Sequence, residues 1–142
     1  MTKDLVAKTT IVINTSASKV WEALTNPELI KKYFFGTEAI SDWKVGSPLT
    51  FRGTWEGKTH EDKATILNFE PNKLLRYRYW SSLSDTPDIP ENYAIVTYKL
   101  FEENSGTKIT VTQDNIPTEE KREHSQQNWL SVLKGLKKLL ET

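Results

Sequence analysis

The sequence has 142 residues, 37% of them hydrophobic and 27% charged, and its 19 basic side chains balance 19 acidic ones. This length suits one domain spanning residues 1–142, and the neutral balance lacks the basic excess of a nucleic-acid-binding protein. The absence of cysteine excludes disulfides and zinc–thiolate sites, and the absence of an apolar run of signal-peptide or transmembrane length leads us to expect a cytoplasmic protein without a membrane span.

The N-terminal part of the chain predicts one strand followed by two short helices. Residues Leu5 to Asn14 alternate between apolar and polar positions, as half-buried strands do. Ser16 is a suitable N-cap for a first helix, and Asn26 with Pro27 begins a second one. Gly36 ends that second helix.

Beyond Gly36 the apolar period changes to two, which predicts consecutive strands joined by short turns. No helical segment separates these strands, so an antiparallel meander is favoured over a parallel sheet. The apolar run at Ile66 and Leu67 is compatible with a β-bulge. The alternation gives the sheet one aromatic-rich face, consisting of Leu49, Phe51, Trp55, Leu75, Tyr77, Tyr79, Val96, Tyr98, Leu100, Ile109, Val111 and Gln113.

The last segment, Thr118 to Leu140, predicts a long amphipathic helix. Thr118 is a plausible N-cap, and Trp129, Val132, Leu133 and Leu136 recur at spacings of three and four. Such a helix is about 34 Å long and needs a surface on which to bury its apolar stripe. A curled sheet with one apolar face provides that surface, so we expect the helix to lie in its concavity.

Seven segments in this order resemble a known family. They are residues 20–25 (VWEALT), 27–28 (PE), 34–35 (FF), 42–46 (DWKVG), 68–74 (NFEPNKL), 106–110 (GTKIT) and 128–140, with its Asn-Trp start and leucine stripe. Together they resemble the helix-grip, START-like (SRPBCC) superfamily, and within it the AHSA-like branch related to the activator of the heat-shock chaperone ATPase. Asn128 departs from the pattern, because the branch usually has glycine before this tryptophan.

The resemblance implies an α+β helix-grip fold. Its sheet is curved and antiparallel, has about six to seven strands, and wraps on a long C-terminal helix, with two short helices after the first strand. The resemblance also implies a cavity between sheet and helix for apolar or aromatic small molecules. Members of the superfamily include carriers, cyclases, hydratases and chaperone activators, so the fold alone does not decide the activity.

The aromatic face has two interpretations. Ordinary core packing is the simpler one, but tyrosine hydroxyls need partners in a dry core, and a mixture of aromatic rings with a few polar groups is typical of a ligand pocket. We expect Asn128 on the wall of this pocket and His124 at its mouth. The candidate ligand-binding residues are Phe51, Trp55, Tyr77, Tyr79, Tyr98, Gln113, His124, Asn128 and Val132.

Other chemistry has little support in the sequence. His60 and His124 are the only histidines, and neither has a second histidine or a carboxylate at i+4 on a clear helix face. Glu120 lies four residues before His124, which allows a surface pair. No glycine-rich phosphate loop occurs, so we expect no metal and no cofactor. Carboxylates such as Glu61, Asp62 and Glu70 are expected on solvated strand faces, although a general-base pair stays open.

These observations leave three hypotheses for function. The leading one is a non-enzymatic protein that binds a small hydrophobic or amphipathic molecule between sheet and helix. The second, from the resemblance, is a stress-response protein that associates with a heat-shock chaperone. The third is a cavity enzyme of the cyclase or hydratase type, acting by acid–base chemistry through His124 or a cavity tyrosine such as Tyr79.

Overall fold

The computed structural model describes residues 5–34, 36–55, 57–81, 86–104 and 106–141, without the side chains of Trp55 and Lys58. In chain order the elements are β1 (Leu5–Ile13), α1 (Ala17–Thr25), α2 (Pro27–Tyr33), β2 (Glu38–Ser41), β3 (Pro48–Trp55), β4 (Lys58–Glu70), β5 (Leu74–Trp80), a 3-10 turn (Pro90–Asn92), β6 (Ala94–Glu103), β7 (Gly106–Ile116) and α3 (Glu119–Glu141).

The strands form one antiparallel, seven-stranded sheet in the order β1-β7-β6-β5-β4-β3-β2. Strands that follow one another along the chain from β2 to β7 are neighbours, which confirms the predicted meander. The first strand then pairs with the last, with Ile11 opposite Ile109. The register of β4 against β5 shifts between Ile66 and Asn68, at the position where the sequence is compatible with a bulge. The α+β helix-grip class is confirmed.

The predicted caps explain where the three α-helices begin. The Ser16 hydroxyl accepts a hydrogen bond from the Lys19 N–H at 3.4 Å, and the Asn26 side chain accepts one from the Glu28 N–H at 3.0 Å. The Thr118 hydroxyl accepts a bond from the Lys121 N–H at 3.1 Å. Each cap satisfies an N–H group that has no partner inside its own helix.

Helix α3 buries its predicted stripe and also protects the edge of the sheet. Its buried residues are Trp129, Val132, Leu133 and Leu136. Near its C-terminus Lys137 Nζ donates to the Val12 carbonyl at 2.9 Å, and the Asn14 N–H donates to Glu141 Oε2 at 2.7 Å. Both contacts supply partners to the edge strand β1 or the residue after it, which lowers the tendency of this edge to pair with another chain.

A glycine in α3 allows a close approach to α2. A Cβ placed on Gly135 would lie 3.4 Å from both the Cβ and the carbonyl oxygen of Tyr33. The helices therefore meet at backbone distance at this point, and α2 is fixed over one end of the sheet. Among the described residues, no helix combines the length and the apolarity that crossing a bilayer requires.

Candidate functional site

The concave face of the sheet carries a continuous floor of aromatic rings. Strand alternation places Phe51 on β3, Tyr77 and Tyr79 on β5, and Tyr98 on β6 on this one face. The ring centroids of Phe51 and Tyr77 are 5.8 Å apart, those of Phe51 and Tyr79 6.0 Å, and those of Tyr77 and Tyr98 5.9 Å. These four predicted site residues are therefore brought together.

Two further aromatic residues, which we did not predict as site residues, cover this floor. Phe34 follows α2 and stacks on Phe51 at 5.9 Å with an angle of 16° between the rings. Trp129 of α3 meets Phe34 edge-on at 6.2 Å and Tyr98 edge-on at 5.7 Å. The sequence signal for Trp129 was its place at the head of the apolar stripe of α3. For Phe34, the sequence predicted only a place on the apolar side of α2.

The described side chains fill the space between floor and cover. A small, partly open cavity of about 10 Å³ lies beside Tyr33, Phe34, Phe51, Tyr77 and Tyr98. Such a volume admits about one water molecule. Among the described residues, the predicted ligand cavity is therefore not open between the sheet and α3.

Buried tyrosine hydroxyls find partners inside the protein. The hydroxyls of Tyr77 and Tyr98 lie 3.0 Å apart and share a hydrogen bond, and the Tyr33 hydroxyl donates to the Ala23 carbonyl at 2.8 Å. Burial raises the pKa of Tyr33, Tyr77 and Tyr98 above the ordinary value, because the phenolate would lose its hydration. These hydroxyls stay neutral and serve as hydrogen-bonding groups.

Gln113 and Val132 also lie between sheet and helix. Gln113 Oε1 accepts hydrogen bonds from Trp129 Nε1 at 2.9 Å and from the Ser125 hydroxyl at 3.3 Å. Val132 is only 3% exposed. Gln113 therefore fixes the orientation of the Trp129 indole, so that its ring faces Phe34 and Tyr98.

The expected positions of His124 and Asn128 are wrong. Both side chains are exposed on the outer face of α3. Residues four apart share a helix face, so His124 and Asn128 point the same way, while Trp129 and Val132 define the inner face. The side chain of Trp55, the remaining predicted site residue, lies outside the described part of the structure.

A buried carboxylate forms the polar end of the aromatic floor, where we expected a solvated one. Asp62 on β4 is 7% exposed and faces inward opposite Phe51. Its Oδ2 accepts a hydrogen bond from the Tyr79 hydroxyl at 3.0 Å, and its Oδ1 accepts one from the Ser81 hydroxyl at 3.1 Å. Burial, together with the charge of Asp62, raises the pKa of Tyr79, so this hydroxyl is a donor and not a base.

His60 lies next to this carboxylate with one nitrogen unsatisfied. Its buried Nδ1 is 3.7 Å from Asp62 Oδ1, and this nitrogen has no hydrogen-bond partner among the described residues. His60 pairs across the sheet with Gly53, where an added Cβ would approach Nε2 to 3.1 Å. The glycine within the strand pattern was the signal that a bulky group packs against this backbone. Within the described chain, no three His, Asp or Glu side chains gather as a metal site would require.

A second concavity lies outside the sheet–helix interior. It is an open groove of about 410 Å³ between β1 and the first turns of α3, lined mainly by polar and charged side chains that include Lys8, Glu119 and Arg122. Small-molecule sites are more often apolar with a few polar groups, so the aromatic interior remains the candidate site.

Comparison with known proteins assigns the family. The structure is similar to that of ChR145 from Cytophaga hutchinsonii, with 49% identity, a TM-score of 0.87 and coverage of 99% of this chain and 97% of the other. It is also similar to the Aha1 dimer from Colwellia psychrerythraea (21% identity, TM-score 0.76, 96% of each chain) and to CalU16 from Micromonospora echinospora (19% identity, TM-score 0.71, 97% of this chain and 83% of the other). No curated protein matches the sequence. Residues 14–141 match the model of the family described as Activator of Hsp90 ATPase homolog 1-like protein, and the chain therefore belongs to this family.

Proposed function

We propose that the protein binds a small, flat, largely apolar molecule between the sheet and α3, in the place that the Phe34 ring occupies in the closed state. One observation carries this proposal. The Phe34 ring is stacked on Phe51 and held edge-on by Trp129, as an aromatic ligand would be in an aromatic pocket. The ring closes the site in the way that a bound ligand would.

The position of Phe34 in the chain favours its displacement. It follows the last residue of α2 and is half-buried, whereas the floor beneath it consists of hydrogen-bonded strands. Its backbone is anchored independently of the ring, because its N–H donates to the Ile30 carbonyl and its carbonyl accepts from the Thr37 N–H, both at 2.9 Å. Rotation of the side chain therefore leaves these two hydrogen bonds in place.

The groups around this ring are already ordered. The Tyr77–Tyr98 hydroxyl pair fixes two rings of the floor, and Gln113 fixes the Trp129 indole. A ligand thus meets preformed surfaces, and the main cost of binding is the displacement of one phenyl ring. Affinity is lowered by the fraction of molecules in which Phe34 occupies the site.

Phe34→Ala tests the proposal. Removing the ring abolishes the competition, so naphthalene should bind the variant at least about ten-fold more tightly than the unmodified protein. Titration followed by NMR at the Trp129 indole N–H reports on the site directly, because this indole contacts both Phe34 and Gln113. Phe101→Ala is the matched control, since Phe101 is 61% exposed on the outer face of the sheet, and it should leave naphthalene binding unchanged.

Two results would count against this function. Absence of saturable shifts in both Phe34→Ala and the unmodified protein would show that the interior is only a packed core. Equal gains in Phe34→Ala and Phe101→Ala would show that naphthalene binds the surface without specificity.

A second candidate function is association with a heat-shock chaperone. It is supported by the family match over residues 14–141, and the name of the Colwellia structure points in the same direction. Pull-down of the cognate ninety-kilodalton chaperone, together with its ATPase rate in the presence of this protein, tests the candidate. An unchanged rate and no retained chaperone would remove it.

A further inference from the structure

We infer that Asp62, Tyr79, Ser81 and His60 form the polar end of the ligand site and select an aromatic molecule that carries a hydroxyl or ammonium group, while they reject carboxylates. This inference rests on the proposed binding function and names the substrate class of the same site. It depends on where these four side chains lie relative to the Phe34 ring.

The polar group lies one ring away from the proposed ligand position. Phe34 stacks on Phe51. The Tyr79 ring meets Phe51 edge-on, with 6.0 Å between the ring centroids and an angle of 73° between the ring planes. The Tyr79 hydroxyl donates a hydrogen bond to Asp62, and Asp62 on β4 lies opposite Phe51 on β3. A two-ring molecule with one ring in the place of Phe34 therefore extends along Phe51 toward the carboxylate.

The polar end of the site accepts hydrogen bonds through the Asp62 carboxylate. An ionised carboxylate only accepts hydrogen bonds, and Asp62 accepts them from the Tyr79 and Ser81 hydroxyls. A ligand hydroxyl or ammonium group adds a donor to this set. A ligand carboxylate instead brings a second negative charge to a buried one, which is strongly unfavourable at short range.

His60 strengthens the preference for a donor. Within the part of the chain that the structure describes, its buried Nδ1 has no hydrogen-bond partner. This nitrogen lies 3.7 Å from Asp62 Oδ1, too far for a good direct hydrogen bond. In the tautomer with the proton on Nε2, Nδ1 is an acceptor, so a donor within reach of both atoms satisfies the nitrogen and the carboxylate together. An ammonium group does so with two of its three hydrogens. Gly53 keeps this arrangement, because any side chain there would crowd the imidazole ring.

The test compares four probes that share one ring system. Naphthalene, 2-naphthylmethanol, 2-naphthylmethylammonium and 2-naphthoate are titrated into the unmodified protein and into Phe34→Ala, with the Trp129 indole resonance as the reporter. We expect the alcohol and the ammonium probe to bind at least about ten-fold more tightly than naphthalene, as one charge-assisted hydrogen bond provides. The naphthoate should bind most weakly of the four.

Two variants assign the preference to the carboxylate. Asp62→Asn, which keeps the shape of the side chain, should lose most of the advantage of the ammonium probe and should bind naphthoate more tightly than the unmodified protein does. Asp42→Asn is the matched control, because Asp42 is exposed, and it should leave the order of the four affinities unchanged. The order in the unmodified protein stands as a test even if Asp62→Asn fails to fold.

The outcomes separate this inference from the function on which it rests. Binding of all four probes with equal affinity, or preference for naphthoate, overturns the selection by Asp62 while the binding function stands. Binding of none of them, in either the unmodified protein or Phe34→Ala, overturns both.

Discussion

Buried tyrosines determine how the protein responds to alkaline pH. Each of the five tyrosines has a pKa above its ordinary value, for Tyr33, Tyr77, Tyr79 and Tyr98 mainly because of burial and for Tyr93 mainly because of its hydrogen bond to Asp88. An unfolded tyrosine ionises near a pKa of about 10, so above this pH the unfolded state loses protons that the folded state keeps. The free energy of unfolding is therefore unaffected by these groups below about pH 10 and falls as pH rises further, by up to about 1.4 kcal/mol per pH unit for each buried tyrosine.

The measurement is a titration of phenolate absorbance beside circular dichroism. We expect phenolate to form together with unfolding, in one transition. Tyr77→Phe is the informative variant, because it removes one titrating group and should make the alkaline fall in stability shallower. It also leaves the Tyr98 hydroxyl without this partner, at a cost of about 1–3 kcal/mol at neutral pH. Reversible ionisation of the buried tyrosines in a protein that stays folded would contradict the expectation.

At single residues, the sequence predicted side-chain direction well where chemistry and alternation agree. Phe51 and Tyr77 were placed inward by the strand period. Asp62 has the same inward parity, two residues before buried Ala64 and four before buried Ile66, but its charge led us to expect solvent. Burial of a carboxylate is acceptable only with partners, and these come from β5 and the residue after it, at positions that no local pattern reveals.

At the level of elements, caps and periods predicted most of the chain. Ser16, Asn26 and Thr118 cap their helices as expected, because capping is a local interaction between near neighbours. Strand β2 escaped individual prediction because it has only four residues, too few to show an alternation. The outward face of α3 was misjudged at His124 and Asn128, where polarity was taken as a pocket wall although it marks the solvent face.

The contact between α2 and α3 yields a prediction at Gly135. Alanine there gains helix propensity worth about 1 kcal/mol, and its Cβ meets Tyr33 at an ordinary contact distance, so Gly135→Ala should leave stability unchanged or raise it by up to about 1 kcal/mol. A leucine extends beyond that contact into the Tyr33 backbone, so Gly135→Leu should lower the free energy of unfolding by about 1–3 kcal/mol. Urea denaturation measures both changes.

Lys134→Leu is the control for these helix substitutions, because it places the same side chain on the exposed face of α3 and should change stability little. A loss of stability with Gly135→Ala comparable to that with Gly135→Leu would show that the two helices are packed too tightly to admit even a methyl group.

For the whole molecule, the period and order of elements predicted a sheet that wraps a helix, but not whether the space between them is open. The packing in this space comes from residues that are distant in sequence, because the Phe34 ring stacks on Phe51 of β3 and meets Trp129 of α3 edge-on. The polar end of the site likewise needs Gly53, His60, Asp62 and Tyr79 from three strands. Strand alternation predicts on which face of the sheet a side chain lies, whereas its contact partners are determined by tertiary packing.

The docking of α3 on the sheet holds the molecule together, and a substitution at Leu136 tests how much this docking contributes to stability. This side chain is fully buried, with 0% exposure, and is the last of the four buried residues of the helix stripe. Leu136→Ala should therefore lower the free energy of unfolding by about 2–5 kcal/mol, the range for a buried leucine whose cavity cannot fully collapse. Leu140→Ala, at a half-buried position one turn later, should cost clearly less.

Helix and sheet should unfold together, because α3 contacts β1, and β1 pairs with β7 and so joins both ends of the chain. Far-UV circular dichroism and tryptophan fluorescence, compared in urea, should therefore show a single transition. Two separate transitions, or a change near zero for Leu136→Ala, would mean that the sheet is stable without its helix.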